Sequence, residues 1–288
     1  MAYGWMIYSK SVLHNKYGNN AFEWMVDTAA AHDIHLAIIF AEDLAVCMDL
    51  SITFIYKNKS LNLPDFVLMR CYNRILGMQL EALGIRVINT TEAMFRSRNK
   101  VITSQMLNKA GIRTPKTLYT GQHDYHLIST AFDRRPFVMK AVEGSQGTNV
   151  CLIKNESDFD KAFRQTNGFF LCQEYIEESS GRDLRIYVLG GRVLGSVLRT
   201  AKTGFRANYA LGGRAESYET TKAIEAISIQ AAQALQLEFC GVDLLFGKDG
   251  LTVCEMNGNA GFRTLSKVSD VDIAEELFNY VDAQIYAN

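Results

Sequence analysis

Apolar and polar positions change their spacing several times along the first third of the chain. Trp5 to Tyr8 is a compact apolar run, and Ala21 to Ala31 has helical spacing with Asn20 placed to cap it. Ile34 to Phe40 and Phe66 to Met69 are β-rich, while Ile52 to Tyr56 and Leu61 to Leu63 flank Lys57-Asn-Lys-Ser60 as the arms of a hairpin would. Arg74 to Leu83 is helical and stops at Gly84, and Ile85 to Ile88 is a further strand. Such alternation predicts an α/β layer on a mostly parallel sheet over residues 1–93. Neither G-x-G-x-x-G nor G-x-x-x-x-G-K-[ST] occurs there, so a Rossmann or P-loop nucleotide site has no support. Arg70 and Asn73 follow a strand's carboxyl end, where open α/β sheets bind ligands; a solvated loop is the other reading.

The pattern then turns to α+β. A helix from Asn99 to Lys109, ended by Gly111 and Pro115, carries Lys100 in its first turn. The helix dipole disfavours a cation there, so an external anion can hold it, unless it is simply a surface lysine. Phe137-Val-Met-Lys140 is a strand, Glu143-Gly-Ser-Gln-Gly-Thr-Asn149 a loop and Val150 to Ile153 a strand. Gly144 and Gly147 let backbone N–H groups approach an anion, Ser145 and Thr148 add hydroxyls and Lys140 adds a charge. This describes a flap over phosphates, with a plain hairpin turn as the alternative. A helix over Asp158 to Thr166 and a strand over Phe169 to Gln173 lead into Glu174-Tyr-Ile176.

From Gly181 onward, Arg182, Arg185, Arg192, Arg199, Lys202, Arg206 and Arg214 interleave with the strands Leu184 to Leu189 and Val193 to Leu198. On one sheet face they would suit phosphate or carboxylate; a solvated face is the alternative. After a helix over Glu219 to Leu235 come Val242 to Phe246 and Leu251 to Met256, flanking Gly247-Lys-Asp-Gly250 as a hairpin, and a helix over Asp272 to Ile285 closes the sequence. A three-residue loop with a left-handed Gly250 bulge would set Asp243 opposite Glu255, with Asn257 on the same face. Facing acids among apolar residues repel. A Mg²⁺ ion would reverse that, and two hydrated acids on an open face would avoid it.

Composition narrows the class rather than naming it. The 288 residues suit two domains, and 48% hydrophobic with 21% charged is ordinary for a globular protein. A net charge of -1 gives no footprint for nucleic acid or an anionic membrane. Cys47, Cys71, Cys151, Cys172, Cys240 and Cys254 show no C-x-x-C spacing and read as reduced, buried residues. No signal peptide or membrane span is visible, which predicts a cytoplasmic protein. Homo-oligomerisation stays open.

The order of parts is a strand lysine, a glycine loop, Gln173-Glu-Tyr-Ile176, Arg182-Asp-Leu-Arg185, Phe205-Arg-Ala-Asn208, Gly241-Val-Asp243 and Glu255-x-Asn257. It resembles the ATP-grasp carboxylate–amine ligases, in particular their RimK-like branch, from about Asn99 to Val281. The resemblance implies an N-terminal α/β (pre-ATP-grasp) domain over 1–93, a lid subdomain with the glycine loop over 94–176 and a C-terminal ATP-grasp subdomain over 177–288, with ATP clasped between the last two. Lys100 and Lys140 would contact the phosphates, and Gly144, Ser145, Gln146 and Gly147 would close over them. Glu174, Tyr175 and Ile176 would lie beside adenine, Asp183 near the ribose, and Arg185 in the nucleotide site. Arg206 and Asn208 would reach the phosphate end, Arg199 and Arg206 would stabilise developing charge, and Asp243, Glu255 and Asn257 would hold two Mg²⁺ ions bridged by Glu255, with Mn²⁺ as the alternative ion.

Two departures, Asn257-Gly-Asn-Ala-Gly261 in place of Asn-Ser-Ser/Ala-Pro-Gly and one residue fewer between Lys202 and Phe205, flank the expected acceptor pocket and bear on the substrate. The expected activity is ligation of a carboxylate, of an amino acid such as glutamate, to an amine through an acylphosphate, with release of ADP and phosphate. The amine would belong to a small molecule or to a peptide or protein terminus. A phosphotransferase and a non-catalytic ATP-binding regulatory module are the competing readings; a glycosidase on Asp243 and Glu255 would leave the lysines and the glycine loop without a role.

Overall fold

The computed structural model describes residues 1–14, 18–144, 150–166, 168–207 and 213–285. The chain divides into two compact units, one of residues 1–94 with 261–266 and 270–288, the other of residues 95–260 with 267–269.

In the first unit, β1 (Ala2–Tyr8), α1 (Gly18–Ala31), β2 (Ile34–Phe40), β3 (Leu44–Met48), β4 (Ile52–Tyr56), β5 (Lys59–Ser60), β6 (Phe66–Met69), α2 (Arg74–Ala82) and β7 (Arg86–Ile88) follow one another. The expected parallel sheet is present, in the order β2-β1-β6-β7. Trp5, Met6 and Ile7 of β1 have no exposed surface, as a strand covered on both faces requires.

The hairpin differs from expectation. β4 pairs with Lys59–Ser60, and Leu61 N continues to Phe54 O at 2.8 Å, so the turn is Lys57-Asn58 alone and not Lys57 to Ser60; β3 lies on the other side of β4. Phe54 of β4 meets the Trp5 ring edge-on at 5.4 Å, so this small sheet roofs the same core. Helix α1 starts at Gly18, which puts Asn20 inside it and not at its cap. Asn73 caps α2 by accepting from Leu76 N at 3.1 Å, and the Arg70 guanidinium stacks on the Phe262 ring at 4.0 Å. Both candidates past the strand end therefore have structural partners. Among the cysteines, Cys71, Cys172 and Cys240 are buried as expected, but Cys47 is exposed and Cys151 and Cys254 are half-buried.

The second unit begins within α3 (Thr91–Arg98) and continues with α4 (Lys100–Lys109), whose first turn is capped by Asn99 through Val101 N and Ile102 N. Then come β8 (Thr117–Tyr119), α5 (Tyr125–Ala131), β9 (Phe137–Ala141), β10 (Val150–Ile153), α6 (Glu156–Thr166) and β11 (Phe170–Glu174). These strands form an antiparallel sheet, β10-β9-β11-β8. Phe137, Met139, Phe170 and Cys172 pack on one face with Ile128 of α5 and Phe159 of α6. Alternation sends Lys140 and Gln173 to the other face.

A larger antiparallel sheet, β14-β13-β12-β15-β16, follows from β12 (Arg182–Leu189), β13 (Arg192–Thr200), β14 (Arg214–Tyr218), β15 (Phe239–Gly247) and β16 (Gly250–Asn257). Helix α7 (Lys222–Leu235), capped by Thr221, packs against four of its strands.

The terminal helix Ile273–Ile285, expected with the larger sheet, lies in the first unit and packs on α1. His32 ties it down, with Nδ1 2.7 Å from Asp282 Oδ2 and Nε2 3.2 Å from Glu275 Oε2. Burial alone would lower the imidazole's pKa, but the two carboxylates outweigh it and hold it above its ordinary value. A raised folded pKa contributes stability that is full below the unfolded value near 6.5 and is lost as pH rises through the folded one. The melting temperature of the wild type is therefore expected to fall between pH 6 and pH 8, and that of His32→Gln to fall less, as thermal denaturation at both pH values will report.

Candidate active site

Register builds the site in three rows on one face of the larger sheet. Arg199 of β13 faces Asp183 of β12; the next row runs Val197, Arg185, Asp243 and Glu255; the third runs Tyr187, Gly241 and Asn257. Asp243 does face Glu255, as expected, but not through a bulge at Gly250. Gly247 pairs with Gly250, leaving only Lys248-Asp249 in the turn, and the register shifts further along, between Leu244–Val253 and Asp243–Glu255. The extra residue is Cys254. Two consecutive half-buried residues, Cys254 and Glu255, stand between buried Val253 and Met256, as a bulge that turns both toward one side would leave them.

Asp243 is 5% exposed and Arg199 6%. Arg185 grips Asp243 with two bonds of 2.7 Å, Nε to Oδ1 and Nη2 to Oδ2. Arg199 grips Asp183 with two bonds of 2.6 Å and reaches Asp243 Oδ2 with Nη2 at 3.0 Å. Asn257 donates Nδ2 to Asp243 Oδ2 at 3.2 Å. Burial alone would raise the Asp243 carboxyl, but Arg185 and Arg199 hold it below the ordinary carboxylate range. Burial likewise works against the Arg199 charge, and Asp243 and Asp183 more than restore it.

Two carboxylates and two guanidinium groups thus form a charge-balanced quartet in which Asp243 and Arg199 are buried and Asp183 and Arg185 half-buried. Room for it comes from Gly241, where a Cβ would lie 3.3 Å from Arg185 Cδ and Nε and 3.1 Å from Ala260 Cβ. The repulsion between the facing acids, which suggested a cation, is already offset by arginines at Asp243 and by Lys100 at Glu255.

The lysines converge on β16. Lys100 Nζ lies 3.6 Å from Glu255 Oε1 and donates to Gly144 O at 3.2 Å, so the anion that holds it at its helix terminus is part of the protein. Lys140 donates to Gln173 Oε1 at 2.6 Å and lies 3.5 Å from Cys254 Sγ. In sequence Gln173 is only the first letter of a motif and Cys254 only one of six reduced thiols, and neither is assigned a role at the site. Glu174 accepts from Lys116 N at 3.4 Å, and Tyr175 meets Phe205 edge-on at 6.0 Å. Ile176 leads into a short helical turn, Glu177–Ser179.

Of the basic residues expected to line the sheet face, only Arg185 and Arg199 stand in the quartet. Arg182 points the other way, over the Phe246 ring at 4.9 Å, and Arg192, Lys202, Arg206 and Arg214 are exposed. Asp183, expected near a ribose, is the partner of Arg199. Ser145, Gln146, Gly147 and Asn208 lie outside the described residues. Among the described residues no group of three or more His, Cys, Asp or Glu is placed to hold a metal; the expected trio is two acids and an amide.

Comparison with known proteins decides what the arrangement belongs to. Residues 97–281 match the family described as the RimK-like ATP-grasp domain. The chain is a RimK-like ATP-grasp protein. It is 34% identical over 212 residues to a "Probable alpha-L-glutamate ligase" of Haemophilus influenzae, covering 72% of this chain and 70% of that one. A protein of the same name from an Enterobacter species is 36% identical over 239 residues, 79% of each. Among solved structures, a RimK domain ATP-grasp protein of Sphaerobacter thermophilus has a TM-score of 0.75 at 18% identity, covering 97% of this chain and 99% of that one. D-alanyl-alanine synthetase A of Vibrio cholerae has a TM-score of 0.75 at 15% identity, with 100% and 99% covered.

The ATP-grasp fold expected from sequence is therefore present, and the RimK-like chain is an ATP-dependent carboxylate–amine ligase. No helix among the described residues is long and apolar enough to cross a membrane.

The quartet and the Glu255 pair should respond differently to substitution. Asp243→Asn leaves two buried guanidinium groups against one carboxylate and is expected to cost about 3–5 kcal/mol of unfolding free energy. Glu255→Gln removes the partner of a lysine 3.6 Å away at a side chain 31% exposed, and is expected to cost under about 1 kcal/mol. Chemical denaturation of the two variants measures the difference.

Proposed function

We propose that this ligase activates the carboxylate of an acidic amino acid, glutamate first, and joins it to an amine on a small molecule or a peptide or protein terminus. The observation that carries the reading is the convergence of Lys100 and Lys140 on the strand that bears Glu255 and Asn257, opposite Asp243. A cationic pair beside three hard oxygen donors is what a nucleoside triphosphate with divalent cations needs. The names of the relatives, alpha-L-glutamate ligases, favour glutamate as the acid.

Two Mg²⁺ ions, with Mn²⁺ as substitute, would be held by Asp243, Glu255 and Asn257, with Glu255 shared. Glu255 and Asn257 fit such ions, whereas both oxygens of Asp243 are held by Arg185, Arg199 and Asn257, so Asp243 would exchange one of these donors for an ion. All three are oxygen donors, and Asn257, which points Nδ2 at Asp243, keeps Oδ1 for an ion. When bound, the ions neutralise charge on the phosphoryl oxygens.

The chain's own groups do the positioning. Lys100 and Lys140 would take the phosphates, Gly144 with Ser145, Gln146 and Gly147 would close over them, and Glu174, Tyr175 and Ile176 would flank the base. Arg185 and Arg199 would keep Asp243 ionised, and Asp183 would hold Arg199 in place. Exposed Arg206, with Asn208, would meet charge on the acylphosphate; Arg199, engaged with two carboxylates, suits that role less well than the sequence suggests. The last two subdomains expected from sequence would divide these tasks, with 94–176 supplying the lysines and the part of 177–288 up to residue 260 the carboxylates.

ATP, Mg²⁺ and hydroxylamine supplied with single amino acids should give ADP and, with glutamate, γ- or α-glutamyl hydroxamate. Hydroxamate from a different acid reassigns the substrate, and no ADP with any acid and amine pair overturns the ligase site. Glu255→Gln is expected to lower ADP formation by at least about 100-fold with its fold intact, and chelation of Mg²⁺ should abolish turnover in the wild type.

A further inference from the structure

We propose that Thr117 and Gln173 are positioning residues that aim the Lys140 ammonium at the nucleotide phosphates without cancelling its charge. This rests on Lys140 being a phosphate lysine. Gln173 of β11 faces Thr117 on β8 and Val138 on β9, and Lys140 is two residues along β9 from Val138. Strand alternation puts all three polar side chains on one face.

The hydrogen bonds between them have a forced direction. Thr117 Oγ1 donates its one proton to Pro115 O at 2.9 Å, so toward Gln173 it can only accept, and it takes Nε2–H at 3.0 Å. The amide is thereby oriented with its oxygen toward Lys140, which donates to it at 2.6 Å. Reversal of the amide would set an NH₂ against an ammonium and an oxygen against a hydroxyl with no proton to give.

The choice of an amide has a chemical reason. Lys140 is 9% exposed and Gln173 3%, and a buried ammonium needs an acceptor. A carboxylate at that position would form an ion pair and compete with an incoming phosphate. The neutral carbonyl fixes the side chain and leaves the positive charge available. Of the three ammonium protons one is committed to Gln173, the second points to a weak acceptor, Cys254 Sγ at 3.5 Å, and the third has no acceptor among the described residues, which suits an incoming anion.

Calorimetric titration of the full chain with MgADP, beside steady-state kinetics in ATP, tests the proposal. Thr117→Val, which keeps the β-branched shape, is expected to raise the MgADP Kd and the KM for ATP by about 3- to 10-fold with a smaller change in kcat. Thr117→Ser should restore wild-type values. Gln173→Glu should weaken MgADP more than Thr117→Val does. Wild-type nucleotide affinity in both Thr117→Val and Gln173→Glu overturns the positioning role, as does a loss in melting temperature with unchanged Kd. Lys140→Ala separates this from the underlying reading: if that variant binds MgADP as the wild type does, the phosphate role of Lys140 fails and the proposal fails with it.

Discussion

An ionised carboxylate at the centre of a sheet has to be neutralised by its own neighbours, and much of the second unit's geometry follows from how Asp243 meets that requirement. Its strand neighbour supplies Arg185, the next strand supplies Arg199, and the second guanidinium brings Asp183 with it, since two buried cations against one anion would be as costly as a bare acid. The quartet needs strands β13, β12 and β15 in their observed register. Gly241 eases the fit, because a Cβ there would lie 3.3 Å from the stem of Arg185 and make that side chain shift. Charge balance and strand order are therefore one constraint.

Local periodicity revealed the elements whose residues repeat cleanly. The buried run of β1, the α7 helix and the β15–β16 hairpin were all legible, and so was the pairing of Asp243 with Glu255. The reason for that pairing was not, because a bulge in mid-strand leaves only two adjacent polar letters, Cys254 and Glu255, as its mark. Elements of three to eight residues were also missed: β3, β8, α3, α5 and β14. They carry too few turns or alternations for a period to show.

Among site residues, Lys140, Asp243, Glu255 and Asn257 came forward because charge and amide groups in apolar runs are conspicuous, and Lys100 because a cation sits badly in a helix's first turn. Gln173 came forward only as part of a motif, without a role, and Thr117 not at all, since an uncharged polar residue on a strand is ordinary until its partner is known. The arginines were overcounted for a related reason: spacing cannot say that Arg182 turns to Phe246 while Arg185 turns to Asp243 unless the pleat is fixed first. Both errors concern the direction of a side chain, which depends on tertiary pairing.

The bulge at Cys254 joins folding to chemistry. With a two-residue turn, uninterrupted pairing would set Asp243 against Cys254 and rotate Glu255 and Asn257 through the sheet, onto the side that α7 covers. An acid and an amide would then be shut in apolar surroundings without partners. The regular hairpin is thus the forbidden one. Burial of Glu255 and Asn257 penalises the slip that would remove them from the site, so the groups the reaction needs also favour the strand alignment that delivers them.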